Sequence, residues 1–176
     1  MNIRLTLHVL GGLLLFLGVM LLLPIPFSLY YADGELDAFV YSSTVTTAVG
    51  FFLFRRFQSR EAVSLREAFG IVTFAWLAFA LFGGLPYVFS GSLVHPVDAF
   101  FESMSGFTTV GATVLQNIEA NPKSLLFWRA LSQWIGGMGI IVLGVAILPL
   151  LGVGGMQFYE AESAGLSPSG DRKSVV

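Results

Sequence analysis

Six consecutive residues in the middle of the chain, Thr108, Thr109, Val110, Gly111, Ala112 and Thr113, carry no charged side chain. What such a segment can offer is main-chain carbonyl oxygen and threonine hydroxyl. These are hard, neutral ligands, suited to an alkali cation that has shed its water. Glycine tolerates backbone angles that other residues resist, so Gly111 allows neighbouring carbonyls to turn toward one axis. Two acids stand just upstream, Asp98 and Glu102, and one arginine stands downstream, Arg129. Glu102 sits on an otherwise apolar stretch, where an ionisable group is a functional candidate by default. The expectation is that it bonds backbone amides behind the polar segment or adds negative potential for cations. A direct ligand role is disfavoured, because a charged ligand holds an ion too tightly for conduction. His95, Asp98 and Glu102 have helical spacing, but Pro96 interrupts the helix between the first two. Capping and surface roles are therefore preferred over a metal site. For Arg129 the readings are snorkelling outward or pairing with Glu102 or a loop carbonyl; the pairing is favoured.

The elements that must position these groups follow from length. His95-Pro96 resembles a helix start, with Asp98 well placed at the positive end of the helix dipole. Residues 97–107 as a helix reach about 16 Å, roughly half of a hydrocarbon core. The six residues 108–113, extended, cover about 18–20 Å. One segment goes halfway in and the other returns, which predicts a re-entrant loop. Irregular backbone at membrane depth must be buried in protein or line a watery cavity. The half-helix also points its partly negative C-terminal end at the membrane interior. Potassium channels use TVGYG in this way; here the frame at Thr109 reads TVGAT. The competing reading of this stretch is a polar surface turn.

Composition sets the medium. Of 176 residues 55% are hydrophobic and 11% charged, against about 25% charged in soluble domains. The class is an all-α, polytopic membrane protein. A net charge of −2 leaves no footprint for nucleic acid, and the lack of cysteine removes disulfide and thiolate chemistry. Four spans are expected: residues 5–23, stopped by Pro24 and Pro26; 38–54, with a hydroxyl-rich first half; 68–89; and 124–151. The first is read as a retained helix, since Leu-Pro-Ile-Pro at its end is no signal-peptidase site. Arg4, Arg55, Arg56, Arg60, Arg66, Arg172 and Lys173 then share one side, and Lys123 and Arg129 the other. That bias places both termini in the cytoplasm.

"DAFFESMSGFTTVGATVL", followed by "WRALSQWIGGMGIIVLGVAILPLLGVGGMQFYEAE", resembles the first pore unit of the Trk/Ktr/HKT family, in particular its bacterial TrkH type. The similarity runs to about Glu162. The resemblance implies potassium transport across a bacterial inner membrane, often with sodium or protons involved. It also implies four non-identical helix–pore-loop–helix units in one polypeptide, commonly as a homodimer on a cytoplasmic nucleotide-binding ring of the TrkA kind. Potassium is then the substrate, and no cofactor is implied. The family's selectivity glycine maps to Gly111, and glycine there goes with potassium preference. The expected layout is two leading helices and a basic loop in 1–67, the pore unit in 68–151 and a cytoplasmic tail in 152–176.

Only one filter segment is present, so the chain is expected to be part of a longer transporter, completed by further pore units or other copies. Gly136, Gly137 and Gly139 leave two readings open: a hinge in the inner helix, or close helix packing through small residues. "GVGG" at 152–155 lacks the strand and the GK[ST] ending of a phosphate loop. No hydrolytic constellation is present, which argues against an enzyme. The rival to transport is a membrane remnant or assembly partner that moves nothing.

Overall fold

The computed structural model describes residues 2–59 and 63–147, without the side chains of 65, 66 and 142–147. Arg60, the Arg66 side chain, Arg172, Lys173, the span end 148–151 and the tail 152–176 lie outside the described residues. All described regular structure is helical: α1 (Ile3–Met20), α2 (Ile25–Tyr31), α3 (Leu36–Arg56), α4 (Leu65–Gly83), α5 (Leu85–Phe89), α6 (Pro96–Phe107) and α7 (Lys123–Ile147), with a short 3-10 turn at Ile118–Ala120. Met1–Ile140 form one compact unit; of the second, Ile141–Val176, the described residues 141–147 are helical. Among the described residues, Ile3–Tyr31, Leu36–Arg56 and Glu67–Phe89 are long and apolar enough to cross a membrane.

α1 and α3 form an antiparallel pair. A side chain on Gly11 would strike the backbone of Phe54 and Gly50, so the two helices approach as closely as small residues allow. Four of the hydroxyls that made the second span look polar are engaged. Ser42, Thr44 and Thr46 donate to the carbonyls of Ala38, Val40 and Ser42 one turn back, and Ser43 donates across to Gly18. α4 starts at Leu65, earlier than expected, because Ser64 and Glu67 form a capping box.

Two of the expected spans are broken rather than simple. The first helix ends at Met20, short of the expected 23, and after a turn Pro24 opens a further short helix, α2, with Pro26 in its first turn. The third span breaks at Gly83-Gly84, since Pro86 has no amide to continue the ladder. The Tyr87 amide donates to Gly84 instead of Gly83. The Gly83 carbonyl left over accepts the indole N–H of Trp128 on α7 at 2.9 Å, and Trp128 is fully buried. That bond places α7 against the α4–α5 break.

Candidate selectivity-filter site

α6 begins where expected, with His95 as its cap, Pro96 in the first position and Asp98 in the first turn. No side-chain cap bond forms, so Asp98 supports the helix through the dipole alone. The helix is wedged between two others. Toward α4, Ser103 donates to the Phe79 carbonyl at 3.3 Å, and a side chain on Gly84 would meet the Ala99 carbonyl. Toward α7, Phe107 packs edge-on to Trp128, a side chain on Gly106 would strike Ser132, and one on Gly136 would strike the Phe107 carbonyl. Gly136 lies about 20 Å along α7 from its start at 1.5 Å per residue. The tip of α6 therefore packs against α7 about 20 Å from the start of that helix.

From that tip the chain turns and runs back along α6. The Val110 and Gly111 amides donate to the Ser105 carbonyl, the Ser105 hydroxyl donates to the Ala112 carbonyl, and Glu102 takes the Thr113 hydroxyl and the Val114 amide. Rising residue numbers in the strand meet falling ones in the helix, as a re-entrant loop demands. The turn uses left-handed backbone at Thr109 (φ 60) and Gly111 (φ 76). For a β-branched threonine that conformation is strained.

Glu102 is the hub. Its carboxylate is buried, with 1% of the residue exposed. Oε2 accepts from Thr113 Oγ1 at 2.8 Å and the Val114 N–H at 3.0 Å, while Oε1 pairs with Arg129 Nε at 2.8 Å. The same guanidinium donates from Nη2 to the Gly111 carbonyl at 3.0 Å. Both pairings weighed for Arg129 thus occur together. Its charge and that of Glu102 compensate each other away from water, which is the condition for burying either.

The six candidate ligand residues differ in their hydrogen bonding. The Gly111 and Ala112 carbonyls face protein donors, Arg129 and Ser105. The Thr113 hydroxyl is given to Glu102 and the Thr108 hydroxyl to the Met104 carbonyl. Among the described residues, the carbonyls of Thr108, Thr109 and Val110 accept nothing. Residues 109–112 are exposed, Val110 at 70%, between the buried Phe107 and Leu115. Gly111 supplies left-handed backbone to the turn. Near the end of α6 the carbonyls of Met104, Ser105 and Gly106 are capped by amides of the loop.

Of the three inner-helix glycines, Gly136 makes the close approach to Phe107, a side chain on Gly137 would come within 3.8 Å of Thr109, and Gly139 has nothing within 4 Å. α7 runs through all three as one continuous helix, and Gly136 is the one of them that lies in close packing with α6. Ser105, Trp128 and Asp33 escaped the sequence reading. Asp33, in the α2–α3 turn, accepts the Ser124 amide at 2.9 Å and so caps the start of α7. Lone serine, tryptophan and aspartate residues carry no spacing signal that would have singled them out.

The cation transport protein family TrkH matches residues 36–171. The chain is 42% identical over 167 residues to the Trk system potassium uptake protein TrkH of Halomonas elongata, covering 94% of this chain and 35% of that protein. It is 44% identical over 168 residues to the protein of the same name from Escherichia coli K12, with the same coverage. The crystal structure of the potassium transporter TrkH from Vibrio parahaemolyticus superposes with a TM-score of 0.82 at 39% identity, over 94% of this chain and 36% of that one. The chain thus spans about a third of the length of the relatives it matches. With a half-helix, a returning strand and an inner helix arranged as described, this chain belongs to the TrkH cation transport family.

Proposed function

We propose that this chain supplies one of four filter segments in a potassium-transporting pore, the other three coming from further pore units. The observation that carries it is the row of carbonyl oxygens on Thr108, Thr109 and Val110, left without protein donors on an exposed strand. In this reading the strand lies within the membrane, braced by the Glu102–Arg129 pair. Such oxygens replace part of an alkali ion's hydration shell as it passes. No bond is made or broken; the energetics are desolvation offset by fixed dipoles, with α6 adding field. In the same reading the protein lies in a bacterial inner membrane with both termini cytoplasmic. A nucleotide-binding regulatory partner of the TrkA kind then docks from the cytoplasm.

Gly111→Ser tests the filter. A Cβ at this position meets no atom of the described residues within 4 Å, so within this chain the effect acts through the backbone. Holding a side chain at φ 76 costs about 1–2 kcal/mol, which relaxes the turn and moves the carbonyls on either side. Potassium-over-sodium flux through a complete transporter carrying this segment is expected to fall. An unchanged ion preference in folded protein would remove Gly111 from the selectivity device.

A further inference from the structure

The leading helices α1–α3 lie outside the helix–loop–helix unit, yet one of their side chains reaches its inner helix. The Asp33 carboxylate is held in a turn between two left-handed residues, Ala32 (φ 50) and Gly34 (φ 82). Its Oδ1 accepts the hydroxyl of buried Ser28 at 2.6 Å and the Glu35 amide at 3.3 Å. Its Oδ2 accepts the Ser124 amide at 2.9 Å. Burial pushes the carboxyl's proton affinity up, and the bonds from Ser28, Ser124 and Glu35 more than offset this, holding it below the ordinary aspartate value. Beside it, Phe27 of α2 stacks on Phe127 of α7, ring centroids 3.9 Å apart. A charge-assisted cap and a ring stack thus grip the first turn of α7 from one side, where an unheld helix end would fray.

What that turn carries gives the grip its meaning. Arg129 follows Ser124 by about 7.5 Å along the axis, and it is Arg129 that holds Glu102 and the Gly111 carbonyl. A shift or rotation of the α7 end passes directly to the guanidinium, because a helix is stiff over so short a distance. We propose that Asp33 is a positioning residue for the filter: by fixing the Ser124 amide it sets the height and rotation of α7, and so where Arg129 holds the Gly111 carbonyl. The inference rests on the filter reading above, and it gives the leading helices a share in ion selection beyond anchoring.

The test is the potassium-over-sodium flux ratio of a complete transporter carrying this segment, reconstituted in vesicles, for Asp33→Ala, Asp33→Asn and, in parallel, Gly111→Ser. Asp33→Ala removes all three acceptor contacts, and the ratio is expected to fall several-fold. Asp33→Asn keeps one carbonyl oxygen for the Ser124 amide and should fall between Asp33→Ala and the parent. A role confined to anchoring lowers the amount of protein in the membrane and leaves the ratio alone. If Gly111→Ser moves the ratio and Asp33→Ala does not, this inference is wrong and the filter reading stands. If neither moves it, both fail. Should Asp33→Ala not accumulate, Asp33→Asn and Phe27→Leu decide: a parental ratio in both overturns the proposal.

Discussion

At the scale of single residues, the loop is held by a buried acid answered on every side. Glu102 receives a guanidinium N–H, a hydroxyl and a backbone amide. Glu102→Gln replaces one acceptor oxygen with an N–H donor that must face other donors, and it leaves Arg129 without its counter-charge. The expected cost is about 3 kcal/mol in stability, read as a lowered thermal transition of the purified transporter. Combining it with Arg129→Gln should cost less than the two singles added, since both remove one interaction. Strictly additive losses would show that the pair is not coupled. The sequence did expose this pair as a candidate, because two lone charges in an apolar setting have few partners to choose from. It did not expose which way each carbonyl of residues 108–113 faces. Residue type leaves that open; Arg129 and Ser105 decide it by occupying the Gly111 and Ala112 oxygens.

At the scale of elements, the contact between α6 and α7 depends on a missing side chain. Gly136→Ala drives a methyl into the Phe107 carbonyl, a main-chain atom that cannot swing aside, and destabilisation of about 1–3 kcal/mol is expected. Gly139→Ala meets nothing within 4 Å and should be neutral or stabilising by up to about 1 kcal/mol through helix propensity. Thermal unfolding of the two variants separates these outcomes; equal losses would mean that both glycines serve flexibility. Helix starts were largely readable. Pro96 opens α6, and Ser64 with Glu67 spells a capping box whose signal the span 68–89 overlooked. The short helices α2 and α5 were not readable, because five to seven residues beside proline have no periodicity of their own. Their helical form comes from the neighbours they pack on.

At the scale of the whole molecule, one re-entrant strand cannot surround an ion. Residues 109–112 are exposed here, and among the described residues no hydrogen-bond donor meets the carbonyls of 108–110. Expressed alone in cells that lack other potassium uptake, the chain is therefore expected not to restore growth at low potassium. Growth under those conditions would mean that copies of one unit assemble a working pore.

Hydropathy, proline positions and the uncharged run around Gly111 determined the class, the long helices and the in-and-out path of the loop. These are properties of short segments, set by the solvent each must enter and by the reach of helical and extended backbone. Tertiary structure alone decided which oxygens are left over after the protein has satisfied itself, and which helix end Asp33 holds. Those outcomes depend on groups far apart in the chain, Arg129 on Gly111 and Asp33 on Ser124. Partners at such separations leave no local pattern in residue types, because only packing brings them within hydrogen-bond distance.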